Sequence, residues 1–209
     1  MKVMKTNSVK ALFLAVLTAG MLTSCVGDDD TVLPNYKPVI FGEDFELNAV
    51  DNTLLALPGW LNYNELGSSR WTSQYYSSNN YAEYSSFNSG DAVNIGWLIT
   101  PSITLGAHPN EKLLFQSAQS YVTNTANTLE VLISTDFDGT VANVTTAHWT
   151  PLSANFPTTT STYFAFLKSG DVDLSSYSGP VHIAFRVKGS GTNTNLDGSY
   201  QIDNLRITY

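Results

Sequence analysis

The stretch Trp97-Leu-Ile-Thr-Pro-Ser-Ile-Thr-Leu105 constrains the fold more than any other part of the chain. Trp97, Leu98 and Ile99 form an unbroken apolar run, the pattern of a strand covered on both faces. Pro101 has no N–H to give to a ladder, so pairing stops or bends there. Beyond it Ile103 and Leu105 alternate with Ser102 and Thr104, which reads as a second, half-buried strand. The segment is expected to pass through a core and then turn a corner, as bent strands of sandwiches do.

The rest of the chain agrees with an all-β reading. Val181, Ile183, Phe185 and Val187 alternate with His182, Ala184, Arg186 and Lys188, the clearest one-face pattern present. Residues 39–46 read as a first strand, with Phe41, Phe45 and Leu47 on one face and Asp44 and Glu46 on the other. Leu113 with Phe115, residues 129–134 and residues 163–167 read as further strands, while residues 61–90 show one only, Tyr81 to Ser85. His108-Pro109-Asn110 and Asp138-Gly139 are turn signals, and residues 189–198 form a loop. In the last strand Tyr200 and Ile202 share a phase, and Leu205, Ile207 and Tyr209 share the opposite one. A period of two that slips by one residue implies a bulge or bend at Asp203-Asn204. Charged residues make up only 13% of the chain, which disfavours long surface helices. Roughly eight to eleven irregularly spaced strands without repeats predict an antiparallel β-sandwich, a jelly roll, over residues 39–209.

The first 24 residues stand apart. Lys2, Lys5 and Lys10 precede an eleven-residue apolar core, Ala11 to Met21, which is short of the roughly 20 residues that span a bilayer; residues 1–24 read as a secretion signal. Leu22-Thr-Ser-Cys25 resembles the bacterial lipobox, which makes Cys25, the single cysteine, the lipid anchor. The signal holds three of ten basic and none of 18 acidic residues, so the mature chain carries 7 − 18 = −11 charges. Nucleic acid is a poor partner for such a chain. Residues 25–38 form an acidic, proline-containing tether, and Val26-Gly-Asp-Asp-Asp30 resembles the acidic signal that sends lipoproteins of the Bacteroidetes to the outer face of the outer membrane.

Across residues 39–209 the chain resembles the choice-of-anchor J or cleaved-adhesin jelly-roll domains of Bacteroidetes surface proteins, modules akin to galactose-binding and carbohydrate-binding ones. The matching pieces are Glu43-Asp-Phe-Glu46, Pro58-Gly-Trp60, Trp71, Tyr81-Ala-Glu-Tyr-Ser85, Trp97-Leu-Ile-Thr-Pro101, Leu129 to Asp136, Ser169-Gly-Asp-Val-Asp-Leu174, Val181 to Phe185 and Gln201-Ile-Asp-Asn-Leu205. Where those relatives carry an Asp-Gly-Asp-Gly turn, this chain reads Asn64-Glu-Leu-Gly-Ser-Ser-Arg70. The resemblance implies non-catalytic binding or adhesion and names no ligand. It also implies a structural Ca²⁺ joining the first strand to the last, for which Asp44, Glu46 and Asp203 are the candidate ligands among the about six to eight oxygens that ion requires.

Trp60, Trp71, Tyr75, Tyr76 and Tyr81, with Asn79 and Asn80, have the composition of a sugar-binding surface, where rings stack on sugar CH faces and amides take hydroxyls. Sandwich cores consume Trp and Tyr as well, and Trp60 and Trp71 suit that role. Asp136-Phe-Asp-Gly139 lacks the remaining ligands of a calcium loop and reads as a turn. His108, His148 and His182 show no metal-binding spacing, and no nucleophile elbow or phosphate loop occurs. Two carboxylates suffice for a glycosidase, so Glu65 with Glu83, or Asp171 with Asp173, keep hydrolysis as a third reading. The leading expectation is a surface-exposed binding or adhesion module with glycan as ligand, and not an enzyme; the alternative is a structural subunit of a surface assembly.

Overall fold

The computed structural model describes residues 37–47 and 49–209; the signal, Cys25 and the tether up to residue 36 lie outside the described residues. Among the described residues fourteen strands and one short 3₁₀ turn occur. In chain order the strands are β1 (Val39–Glu43), β2 (Thr53–Leu54), β3 (Leu61–Leu66), β4 (Thr72–Tyr76), β5 (Asn79–Ser85), β6 (Asn94–Ile99) and β7 (Ile103–Leu105). They continue as β8 (Lys112–Ser120), β9 (Thr128–Ser134), β10 (Thr150–Pro151), β11 (Leu167–Lys168), β12 (Val172–Asp173), β13 (Gly179–Gly189) and β14 (Ser199–Thr208). All pairings are antiparallel and they build two sheets. The front sheet runs β11-β8-β14-β5-β4-β2, with β1 added to β14 and β12 to β8; the back sheet runs β10-β9-β13-β6-β3, with β7 added to β13. The sheets close over one core, as the jelly-roll expectation requires.

Each sheet has a central strand with both edges paired. In the back sheet β13 takes β9 on one edge and β6 followed by β7 on the other. The segment 97–105 therefore turns no corner, contrary to the expectation; both halves stay beside β13. Ile99 pairs Ala184 and Ile103 pairs Val181, four steps against three, so one residue bulges at Pro101. Thr100 keeps β13 paired just before the proline: its N–H gives to Ile183 O (2.9 Å) and its hydroxyl accepts Ile183 N–H (3.0 Å). The apolar run is covered on both faces. Leu98 faces the inter-sheet core, while Trp97 and Ile99 sit in a second cluster with Leu132, Phe137 and Ala184, packed beneath Trp149.

In the front sheet β14 pairs β8 along one edge and, along the other, β5 up to Ile202 and β1 from Leu205 on. Three β14 steps from Asp203 to Arg206 oppose two on β8, and Asn204 has φ 52°. This is the bulge that the phase slip implied. Tyr200, Ile202, Leu205 and Ile207 all reach the core.

Other expectations are corrected. Leu47 is exposed rather than aligned with Phe45, because the chain leaves β1 at Glu43 and turns. Residues 163–167 are not a strand; only Leu167–Lys168 joins β8, as β11. Residues 61–90 contain three strands instead of one. The β4–β5 hairpin turns at Ser77-Ser78, both at positive φ (54° and 65°); a two-residue turn of that kind normally advertises itself with Asn-Gly or Asp-Gly. Pro38, read as tether, already accepts from Tyr209 N–H (3.3 Å).

The two sheets approach closely where Gly96 meets the Tyr84 ring. A Cβ on residue 96 would fall inside that ring, against its Cε2, and Tyr84 is fully buried beside Trp71. Gly96→Ala is therefore expected to cost roughly 1–3 kcal/mol by overpacking, read as a lower urea midpoint with an unchanged m-value. An unshifted midpoint would show that the ring has room to move.

Candidate functional site

The pleat of the front sheet sends one set of side chains to the core and the other to its outer face. That outer set includes Gln74 on β4, Tyr81 and Glu83 on β5, Ser199, Gln201 and Asp203 on β14, and Gln116 and Ser120 on β8, adjacent by register. Three cavities lie along this face. One of about 560 Å³ is lined by Glu83, Ser120, Tyr121, Phe164 and Asp197 among others. A second of about 580 Å³ is lined by Asp51, Tyr75, Tyr76, Tyr81, Glu83, Tyr163 and Phe164. The third, about 270 Å³, is lined by Tyr76, Tyr81, Phe164, Phe166 and Asp203. Glu83 belongs to the first two and Phe164 to all three, so they form one groove.

Its floor is organised by Gln201, which is fully buried. The Gln201 amide donates to Glu83 Oε2 at 2.6 Å and to Ser120 Oγ at 3.1 Å, fixing two groups that line the groove. Burial pushes the Glu83 carboxyl above its ordinary range; the Gln201 hydrogen bond pulls it back in part, and the nearby Asp51 charge pushes it up again. Burial, with the charges of Glu83 and Asp51, pushes the Tyr81 phenol up to about 12, so it stays a hydroxyl donor.

The rim is aromatic and held under backbone strain. Tyr121 and Phe164 have φ 58° and 59°, outliers for bulky side chains that cost about 1–3 kcal/mol each. One buried residue fixes both turns. The Gln119 side chain donates to Ser161 O (2.7 Å) and accepts Val122 N–H (3.0 Å), and its carbonyl accepts Phe164 N–H (2.9 Å). Tyr121 is thereby set against Tyr163, with ring centroids 4.8 Å apart. Nothing in the sequence separates Gln119 from the other polar residues of β8; its role arises from strand order and register.

Of the five aromatics expected to bind ligand, the structure brings three to the groove and removes two. Tyr75 and Tyr76 are 52% and 70% exposed, and Tyr81 stands edge-on to Phe166 at 5.6 Å. Trp71 is completely buried in the inter-sheet core, and Trp60 packs on Phe41 and Phe45 (centroids 6.1 and 5.9 Å) against the same core. Neither tryptophan lines the groove: Trp71 is closed to any ligand, and Trp60 is half-buried against the core.

Asp44, Glu46 and Asp203 do lie near one another, beside the β4–β5 turn. Glu46 accepts from Asn80 N–H (3.0 Å) and Nδ2 (2.6 Å); Asp203 accepts from Asn79 Nδ2 (3.0 Å), Asn204 N–H (2.6 Å) and Asn204 Nδ2 (2.9 Å). Burial raises Asp203 above its ordinary value, its Asn79 and Asn204 hydrogen bonds lower it, and the charges of Glu46 and Asp44 raise it further. Amide donors meet these oxygens, an arrangement that does not fit the about six to eight free oxygens of a Ca²⁺ site. Among the described residues no three His, Cys, Asp or Glu side chains gather as metal ligands.

The candidate acid pairs are also resolved. Glu65 binds Trp97 Nε1 (2.9 Å) on the outer face of the back sheet, across the whole sandwich from Glu83. Asp171 pairs with Lys112 (2.7 Å), and Asp173 holds Ser175 N–H and Oγ, both at 3.0 Å. Asp136 and Asp138 hold turns through Ser134, His148, Thr140 and Asn143.

A carboxyl raised by folding favours the protonated form. Its contribution to stability is full below the unfolded value, near 4.3 for Glu, and is lost as pH rises through the folded value. Glu83→Gln keeps an acceptor for Gln201 and removes the charge. It is expected to raise the melting temperature at pH 7, with the gain vanishing below about pH 4. A gain that is independent of pH, or a loss at pH 7, would contradict the origin given to the shift.

No curated protein matches the chain. Among solved structures it is similar to the K3 cleaved adhesin domain of Lys-gingipain from Porphyromonas gingivalis, at 18% identity and TM-score 0.51 over 82% of this chain and 100% of that one. It is similar also to the K2 cleaved adhesin domain of Lys-gingipain, at 16% identity and TM-score 0.51 over 81% and 97%. A CBM22-2 xylan-binding domain from Paenibacillus barcinonensis matches at 12% identity and TM-score 0.46 over 81% and 99%. At these identities the likeness is one of fold. A family model matches residues 102–209, from β7 to the last strand, a stretch that includes Gln119, Tyr121, Phe164 and Gln201. That is more than half of the 209 residues, and the chain belongs to this family, DUF5017, described as a domain of unknown function.

Proposed function

We propose that the domain is a non-catalytic glycan-binding module displayed at the cell surface, and that the groove on the outer face of the front sheet is its binding site. One observation carries this reading. Six exposed rings, Tyr75, Tyr76, Phe87, Tyr121, Tyr163 and Phe164, converge on one face around a floor of Glu83, Ser120 and Ser199. Sugars present CH faces for such rings and hydroxyls for such a floor. Rings fixed by Gln119 lose little freedom on binding, which lowers the entropic cost of association. A purely structural role would bury the same rings.

Surface display rests on the sequence: the apolar leader, the lipobox-like Leu22-Thr-Ser-Cys25 and the acidic run after it. The motif order shared with choice-of-anchor J domains supports the same setting, with the outer membrane as the anchoring surface.

On a glycan array the purified protein is expected to retain at least one glycan class. Tyr76→Ala and Phe164→Ala are each expected to weaken that binding about tenfold, or 1.4 kcal/mol, with the melting temperature retained. Full binding by both variants would move the site elsewhere. For the anchor, Cys25→Ala is expected to abolish labelled palmitate incorporation and shift the protein out of the membrane pellet.

A further inference from the structure

We infer that the groove accepts uncharged glycans and rejects acidic ones, an inference that rests on the glycan reading above. Four carboxylates line it: Asp51 and Glu83 in one cavity, Asp197 in the next and Asp203 in the third. No Lys, Arg or His among the described residues lines any of the three. Most of the described cations are placed by other contacts. Lys37 and Lys112 pair with Asp171. Arg186 pairs with Glu130 and lies over Trp97, on the back sheet. Lys168 and Arg206 line a small cavity that shares Gln116 and Asn204 with the third one and no residue with the other two.

A uronate, sulfate or phosphate entering the two larger cavities, which hold Asp51, Glu83 and Asp197, would therefore meet only negative charge, between apolar ring walls that focus the field. It would also shed water with no counter-charge to replace it. An uncharged sugar meets none of these costs. It finds acceptors on Glu83 and Asp197, and donors on the Tyr81 phenol and the Ser120 hydroxyl. The direction of selection thus follows from which charges face the groove and which do not.

Matched polysaccharide pairs test this directly: a neutral β-glucan against its carboxymethylated form, and a methyl-esterified galacturonan against its saponified form, compared by affinity electrophoresis and titration calorimetry. In whichever pair binds, the neutral member is expected to bind at least about tenfold tighter at low salt. The gap is expected to narrow as ionic strength rises from about 0.01 M to about 1 M, where the Debye length shrinks from about 30 to 3 Å. The double variant Asp51→Asn/Asp197→Asn is expected to narrow it as well; should that variant fail to fold, the salt series on the unaltered protein decides. Equal or tighter binding of the acidic member, or a gap indifferent to salt, overturns the inference and leaves the groove reading standing. Retention of neither member of any pair by folded protein removes the groove reading, and the inference with it.

Discussion

The backbone ladder of β14 is the constraint on which the rest of the molecule depends. It is saturated on both edges, by β8 on one side and by β5 and then β1 on the other. A strand so placed cannot slide, and its alternation assigns every side chain to one of two jobs. Tyr200, Ile202, Leu205 and Ile207 close the core, and Gln201 organises the groove floor. Without the extra residue at Asp203-Asn204 the phase would carry Asn204, Arg206 and Thr208 inward. The back sheet solves the same problem on the opposite strand. Leu98 and Ile103 face the core although five positions apart, and the bulge at Pro101 absorbs the odd step. Such bulges, here and again between Val39 and Phe41 in the front sheet and between Asn64 and Leu66 in the back one, let strands cover a curved core.

The groove depends on the same ladder at one remove. Its rim residues are far apart in sequence: Tyr75 and Tyr76 come from the β4–β5 hairpin, Tyr121 from the end of β8, Tyr163 and Phe164 from the segment before β11. They meet because β8, β14, β5 and β4 are neighbours. Holding Tyr121 and Phe164 at positive φ costs free energy that only a surrounding structure can sustain. Gln119 sustains it with its side-chain oxygen, one donor of its amide and its backbone carbonyl, each spent on the two turns. Phe45, the third aromatic at positive φ, lies in the inter-sheet core, so two of the three rings held this way flank the groove.

The physics that made parts of this legible in sequence also sets where legibility ends. Alternation reports burial, so Val181 to Lys188, the doubly covered Trp97 to Ile99 and the slip at Asp203-Asn204 could all be read. Mixed polar alternation reports little, so β3 and β4 do not stand out in the sequence; Leu61 and Tyr63 of β3 pack on the small cluster outside the back sheet, and Gln74 of β4 faces the groove. The Ser77-Ser78 turn carries positive φ on residues that do not announce it. Composition could not divide core aromatics from exposed ones within residues 60–87, and Trp71 and Tyr76 ended at opposite extremes. Gln119, Tyr163 and Phe164 were missed as site residues because their roles exist only once strand order is known.

The acids show the same division between scaffold and site. Half-buried Asp91 and exposed Asp136, Asp138, Asp171 and Asp173 are all held below the ordinary carboxylate range, by hydrogen bonds from Ser68, Ser134, Thr140, Lys112 and Ser175 respectively. Their contribution is present above the unfolded value and is lost as pH falls through the folded one. Glu43, Glu83 and Asp203, all on or beside the front sheet, are raised by burial instead, and theirs is lost as pH rises. Charge thus stabilises the turns and works against the front sheet. A carboxylate kept at the groove floor against its own desolvation, with a buried glutamine assigned to hold it, is poorly accounted for by the needs of the fold. On the reading proposed above, a ligand hydroxyl would give Glu83 the hydrogen bonds that burial has taken from it.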